Sequence, residues 1–316
     1  MVYLETDRLV IRDLRASDLE YHHALISNDE VMYYIQDIQC HSLKESQDNL
    51  EFCITESKLP DRKHYFLGIF LKDETHVGSI GFTILEKGDS GNAELGYFIH
   101  KKFWNKGYTS EAAKCVIDFG FKKVRLKKFT TGCVYDNDKS EAIMKKMGMY
   151  KEAHKKDHIY IDGKWRDRVE YGLYNKLLLS RVEKQSLLIV DLASRLKGYK
   201  YHFDGSTALF VHGIREEMDD IDITFPYNDE GLIRDLFNDY TLSETILEKG
   251  FKHFFFMMDG EKIHCLFYEG SSDTFSKEDD IKVMNFVPIV YKSMSFFKRE
   301  GKVKLKDKIR AYEERS

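Results

Sequence analysis

AELGYFIHKKFWNKGYTSEAA, residues 93–113, reads as a strand, a tight loop and the opening of a helix. Residues 93–99 form the strand. A helix is predicted over 110–122, with Ala112, Ala113, Val116, Ile117 and the Phe119-Gly120-Phe121 run supplying its apolar face. Between them, Gly107 lets backbone approach a ligand closely, and Thr109 and Ser110 are good helix N-cap types. The unpaired N–H groups of a first helical turn lie at the positive end of the helix dipole, so they suit a pyrophosphate. An ordinary capped helix after a turn accounts for the same residues.

Outward from this stretch, the first 178 residues read as mixed strands and helices. Residues 9–14 are a short apolar strand, after which Ser17-Asp18 cap a helix. Residues 65–71 and 76–85 form a hairpin around 72–75, 129–135 are a strand, 140–147 a short helix ending at Gly148, and 168–174 a closing strand. Residues 175–196 then read as one long helix, and beyond it the strand–helix–strand pattern restarts. A second core is therefore expected, with domains over 1–178 and 185–316 and an α+β fold.

Composition narrows the function classes. The 316 residues are 42% hydrophobic and 32% charged, and the net charge of −4 provides no basic field for nucleic acid. Five scattered cysteines without a CxxC pair argue against a zinc site or disulfide framework and fit reduced thiols. No apolar run approaches the roughly 18–20 residues a membrane helix needs, and no signal-peptide core opens the chain, so no membrane partner is expected and the expected setting is cytoplasmic. Oligomeric state is not legible.

The stretch 93–113, the later VYDNDKSEAIMKKMGM (134–149) and the opening LETDRLVIRDLRASD (4–18) together resemble the GNAT family of acetyl-CoA-dependent N-acetyltransferases, in particular its ribosomal-protein and polyamine branch. The resemblance covers residues 1 to about 175 and implies a mixed sheet flanked by helices. The family's pyrophosphate loop, (Q/R)xxGx(G/A), is matched at Gly107, with Trp104 at its first position and Thr109 at its last. By this resemblance the amides of Asn105, Lys106, Gly107, Tyr108, Thr109 and Ser110 cradle the acetyl-CoA pyrophosphate, and the edge of Tyr97, Phe98 and Ile99 pairs with the pantetheine arm. Glu94 is the expected base for the attacking amine. Asn137 and Ser140 match an NxxS element, Asn137 toward the CoA arm and Ser140 toward the departing thiolate; the same two residues also satisfy a turn and a helix cap. Tyr135 is a weaker candidate acid. The acceptor is a primary amine of a small molecule or a protein N-terminus. By the same resemblance the region 21–57 partly lines its cleft, where Asp29, Glu30, Asp37, Glu45, Tyr33 and Tyr34 suit a cationic polyamine or aminoglycoside or form a solvated face.

The second half has a different grammar. In 204–225, Gly205-Ser206 follows the strand-like residues 199–203, residues 207–212 form a short helix, and Asp220-Ile221-Asp222-Ile223 alternates. Period two puts Asp220 and Asp222 on one face, where two carboxylates suit Mg²⁺, and the Gly205-Ser206 turn could hold a nucleoside triphosphate through its amides. GSTAL…HGIRE…DDIDI resembles the nucleotidyltransferase fold of aminoglycoside and lincosamide adenylyltransferases, and 303–314 resembles its closing Lys-Asp helix. The resemblance implies a third carboxylate on a later strand, but His264 holds that slot; Asp259 or Glu261 would replace it only in another register. Three readings stay open: an acetyltransferase with an accessory domain, a bifunctional antibiotic-modifying enzyme, or a second domain that only binds substrate or a partner.

Overall fold

The computed structural model describes residues 1–85, 91–248, 250–269 and 279–299. The chain divides into two compact units, Met1–Leu178 and Leu179–Ser316, each with its own core.

The first unit runs β1 (Tyr3–Glu5), β2 (Leu9–Asp13), α1 (Leu19–Ile26), α2 (Asp29–Met32), α3 (Leu43–Glu56), β3 (His64–Leu71), β4 (His76–Ile84), β5 (Asn92–Ile99), α4 (Tyr108–Phe119), β6 (Lys128–Val134), α5 (Asp138–Lys146), β7 (Tyr150–Ile161) and β8 (Lys164–Tyr174). Its eight strands lie in the order β1-β2-β3-β4-β5-β6-β8-β7. Neighbours are antiparallel except β5 and β6, which run parallel. Central β4 is buried over seven successive residues, as a strand covered on both faces must be. The buried face of α4, Ala112, Ala113, Val116 and Ile117, joins one cluster with Ile80, Phe82, Leu95 and Phe129 of the sheet. Each of the larger side chains, Val116, Ile117, Ile80, Phe82, Leu95 and Phe129, contributes about 1.5–3 kcal/mol on leaving water, so the position of α4 against the sheet is strongly fixed.

Several expected boundaries move. The helix expected over 110–122 begins earlier, at Tyr108, and gives way at Gly120 to a wider π turn that Arg125 closes in the left-handed region. Asn137 caps α5, so that helix starts before Ser140. The long helix expected over 175–196 shortens to α6 (Arg181–Arg195). Ser180 and Glu183 form a capping box at its start, whereas the buried Asn175 side chain donates to the carbonyls of Leu126 and Phe121 and holds residues 175–178 in a turn.

The second unit continues with β9 (His202–Phe203), α7 (Gly205–Val211), β10 (Ile221–Pro226), α8 (Glu230–Leu236), β11 (Ile246–Glu248), β12 (Phe251–Met258), β13 (Glu261–Tyr268), β14 (Asp279–Met284), β15 (Val287–Lys292) and α9 (Met294–Arg299). The sheet order is β11-β12-β13-β10-β9-β15-β14, with β10 parallel to β13 and β15 parallel to β9. Phe254 and Phe256 are core residues, at 0% and 1% exposure. The tail 303–314 lies outside the described residues. All five cysteines are free, and among the described residues no helix is long and apolar enough to cross a membrane.

Candidate active site

Strands β5 and β6 pair only through Asn92↔Lys128, Ala93↔Phe129 and Glu94↔Thr130. Beyond that point residues 95–99 and 131–134 both line a cleft of about 1010 Å³, together with 107–110 at the start of α4 and 136–140 at the start of α5. A parallel pair that separates after three residues leaves unpaired backbone on β5, an edge that an extended ligand can join as an added strand.

The loop into α4 is built for close approach. Asn105 and Gly107 both have positive φ, 62° and 79°, and Gly107 is the N-cap. Glu111 N–H is the first to bond back, to Gly107 O at 3.1 Å, so the amides of Tyr108, Thr109 and Ser110 lack helical acceptors. Trp104 fixes the loop to the strand: its indole N–H donates to Ile99 O at 3.0 Å, and Lys139 of α5 lies 4.3 Å over its ring. The Ile99 carbonyl is thus already engaged, leaving Tyr97 and Phe98 as the freer part of the edge.

Arg8 completes the loop, and no role was assigned to it from sequence. Its guanidinium donates to Glu111 (2.6 Å) and to Lys106 O (3.1 Å) and lies 4.7 Å over the Tyr108 ring. Burial alone would raise the Glu111 carboxyl, but hydrogen bonds from Thr6 and Arg8 outweigh it and hold Glu111 below the usual range.

At the other side of the cleft, Asn137 caps α5 by accepting from Ser140 N–H at 3.2 Å, which realises the capping reading of that pair. The Ser140 hydroxyl lies 3.1 Å from the Tyr97 hydroxyl. Burial pushes the Tyr97 phenol up to about 12, with the Ser140 hydrogen bond opposing. A neutral phenol and an alcohol therefore stand together where β5 and α5 meet. Tyr135 is half exposed, stacks on His154 at 4.9 Å and is not among the residues that line the cleft.

Glu94 sits at the last paired position of β5, half exposed, 3.4 Å from Arg168 of β8. Arg168 lines the cleft and also reaches Glu170 at 3.3 Å. Of the acceptor candidates, Asp29, Glu30, Tyr33 and Tyr34 line the same cleft, whereas Asp37 and Glu45 do not.

In the second unit, Asp220 and Asp222 share a face while Ile221 and Ile223 are fully buried on the other. The parallel register sets Asp222 opposite His264, with Nδ1 3.4 Å from the Asp222 carboxylate. One donor atom each from Asp220, Asp222 and His264 lie within 4.8 Å of one another. Glu261 is excluded from this group: its carboxylate is held by Arg181 at 2.9 Å and by Gln185 at 3.0 Å. Asp259 lies in the β12–β13 turn with φ 51°. Two carboxylates and one imidazole are a poor match for Mg²⁺, which takes oxygen donors. The Gly205 amide is bonded to the Asp204 carboxylate at 2.7 Å, and the Ser206 hydroxyl donates to Asp220 O at 3.1 Å. Of the two amides expected to hold a triphosphate, that of Gly205 is thus engaged by the neighbouring carboxylate. Gly205 has φ 53°, and a Cβ there would meet the Asp222 carboxylate at 2.4 Å, so a glycine is required.

A mixed sheet that opens between two parallel strands beside a glycine-capped helix forms a cleft for an extended ligand, and the comparisons identify the class. Residues 8–150 match the Acetyltransferase (GNAT) domain. The "Uncharacterized N-acetyltransferase YoaA" of Bacillus subtilis is 29% identical over 171 residues, covering 54% of this chain and 95% of that protein. The [Ribosomal protein uS5]-alanine N-acetyltransferase of Escherichia coli is 29% identical over 106 residues, 33% of this chain and 55% of that protein. Among solved structures, RimL, a ribosomal L7/L12 alpha-N-protein acetyltransferase in complex with coenzyme A, has the same fold (TM-score 0.50, 18% identity, 55% of this chain and 98% of that one). The chain carries a GNAT N-acetyltransferase domain and is an acetyl-CoA-dependent N-acetyltransferase.

Proposed function

We propose that the first unit moves acetyl from acetyl-CoA to a primary amine in the cleft between β5 and β6, with the α4 loop holding the pyrophosphate. The separation of these strands beside the free amides of Tyr108, Thr109 and Ser110 is the observation that supports this reading. Asn105, Lys106 and Gly107 shape the loop, Tyr97 and Phe98 offer backbone to the pantetheine arm, and Asn137 orients the first turn of α5. Glu94 takes, directly or through a water, the proton shed as the amine attacks the thioester carbonyl; the C–S bond then breaks, and the Ser140–Tyr97 pair returns a proton to the thiolate.

The acceptor is a small-molecule amine or a protein N-terminus in a cytoplasmic setting. Asp29 and Glu30 with Tyr33 and Tyr34 favour a cationic amine, and the E. coli relative's action on an alanine of a ribosomal protein favours an N-terminal peptide. Screening polyamines, aminoglycosides and N-terminal peptides with acetyl-CoA, reading thiol release, tests both. Release with any of these amines is the expected result, and silence across the panel would defeat the reading at the level of the reaction.

A second reading concerns the second unit as a nucleotidyltransferase-like domain, favoured by Asp220 and Asp222 converging beside Gly205. Pyrophosphate release from ATP and an aminoglycoside or lincosamide by the full chain would establish it. A unit that only binds substrate or a partner predicts none.

A further inference from the structure

The first unit has a second cavity, of about 570 Å³, where the end of α3, the edge strand β1 and the last turns of α4 meet. None of its lining residues lines the acetyl-CoA cleft. Its volume falls within the roughly 300–1,000 Å³ of small-molecule sites. The twelve residues of α4 span about 18 Å, from the loop at Gly107 to Phe119 on the cavity wall.

The wall is apolar over Val2, Leu4, Tyr65, Cys115 and Phe119, which are half-buried and pack on the main core behind them. Tyr65 and Phe119 set two rings edge to face, 6.0 Å apart. Into this wall is built one buried cation. Arg62 is only 8% exposed and lies 4.4 Å over the Tyr65 ring. Its Nε donates to His64 O at 2.7 Å, and Nη2 pairs with Asp13 at 2.7 Å. Nη1 has no acceptor among the described residues and is not sealed from solvent. A buried guanidinium seldom leaves a donor unused. Because Arg62 lines the cavity, an acceptor placed there can meet it.

The charges along the wall set the sign of that acceptor. A Cβ on Gly120 would meet the Phe129 ring at 2.4 Å, so only glycine lets the chain run this close to the sheet. There α4 widens into the π turn Gly120–Val124, which carries Lys122 and Lys123 on the cavity wall; such turns are frequent at functional sites. Lysines at a helix end complement its dipole in any case, and it is the buried arginine donor that makes them part of a site. Among the described residues, Asp118 is the one carboxylate side chain that lines the cavity, and Lys122 holds it at 3.0 Å. Asp13 balances Arg62 in the same way. Lys123 has no ion-pair partner among the described residues, so the wall has one cation in excess, and its complement is a single negative charge.

We propose that this cavity binds a small aromatic monocarboxylate, its ring on Tyr65 and Phe119 and its carboxylate received by Nη1 of Arg62 and by Lys123. The site is separate from acetyl transfer, since no residue of the cleft takes part.

Cys115 reports occupancy, because it lines the cavity and the other four cysteines are buried. In the full chain without acetyl-CoA, its alkylation by iodoacetamide is followed by peptide mass spectrometry in the presence of naphthylacetate, naphthylacetamide or naphthylethylamine. These three probes share one ring system and differ in charge. Naphthylacetate should slow the alkylation, with a Kd of about 1 mM or tighter for a ligand of this size. The neutral amide should bind about tenfold more weakly, and the amine should not protect. Lys123→Gln, at an exposed position, should weaken naphthylacetate about threefold and leave the amide unchanged. Acetyl-CoA should not protect Cys115. Undiminished alkylation under naphthylacetate would overturn the site, and equal protection by all three probes would overturn the anion class. Protection by acetyl-CoA would also overturn the proposal, by merging the cavity with the cleft. Slower alkylation on raising the protein concentration alone would put a second copy of the chain on this face instead. The comparison of the three probes needs no variant, so it decides the matter without any substitution.

Discussion

Glu94 and Arg168, seventy-four residues apart in sequence, meet at 3.4 Å at the point where β5 and β6 part. Arg168 lines the cleft, whereas Glu94 is not among its lining residues and meets it through this contact. Glu94→Gln keeps size and hydrogen bonding but removes the proposed base, so kcat should fall by about 10²-fold or more while acetyl-CoA affinity holds. Arg168→Gln should cost less, since it loosens the carboxylate without deleting it. Thiol release with a saturating amine measures both; an unchanged kcat in Glu94→Gln would remove that residue from the chemistry.

Gly107 adopts φ 79° and has only the Arg8 guanidinium, 3.4 Å away, near the place of a Cβ. Space is therefore less limiting than backbone conformation and charge. Gly107→Glu puts a β-carbon in the left-handed region, at about 1–2 kcal/mol, and a negative charge where the pyrophosphate is proposed to bind. The acetyl-CoA Kd should rise by about 100-fold or more with the far-UV spectrum unchanged. Gly107→Asn, which tolerates the left-handed region, should stay within about threefold of the parent. Calorimetric titration with acetyl-CoA separates these outcomes, and equal affinity in all three proteins would defeat the loop assignment.

His76 is buried at the start of β4, with Nδ1 3.1 Å from Nε2 of His100. Burial first, and then the neighbouring His100 and His22, push its pKa down to about 3. In the unfolded chain it titrates near 6.5. Above that pH both states are neutral there and stability is undiminished. As pH falls from about 6.5 towards 3, only the unfolded state takes the proton, so folding loses stability, on the order of several kcal/mol from this group. His76→Phe should flatten the acid limb of the first unit. Both tryptophans, Trp104 and Trp165, lie in that unit, so tryptophan fluorescence during urea unfolding across pH 4–7 reads it selectively.

How much of this was legible in sequence depended on how local the signal was. The α4 loop could be read because Gly107 and the helix after it lie within a few residues. The helix start shifted because a left-handed glycine, rather than a hydroxyl side chain, does the capping. β7 was not read as a strand because it is an edge strand with residues 155–158 exposed and largely charged, which leaves no period-two apolar pattern. Tyr97 with Ser140, Glu94 with Arg168, and Arg8 with Glu111 are encounters that only the folded sheet creates. In the second unit the alternation of 220–223 was legible, as was the histidine in the third slot. Its partner His253 was not, since the two rings meet diagonally across the β12–β13 hairpin.

Glu230, at the start of α8, gathers Lys252 at 2.8 Å, Arg234 at 3.1 Å and the Thr245 hydroxyl around one carboxylate. Burial alone would raise its pKa, but hydrogen bonds from these three partners outweigh it and lower Glu230 to about 2. The unfolded value is near 4.3, so the contribution is complete above that pH and disappears as pH falls through about 2. It amounts to something on the order of 3 kcal/mol. Glu230→Gln removes the charge while Lys252 and Arg234 remain, so it should destabilise the second unit at pH 7 and make its loss of stability between pH 4.5 and 2.5 shallower than the parent's. In scanning calorimetry of the full chain, the transition that leaves tryptophan fluorescence unchanged belongs to the second unit. Its midpoint should drop in Glu230→Gln at pH 7 and converge with the parent's near pH 2; a constant difference at all pH values would mean that Glu230 acts through packing rather than charge.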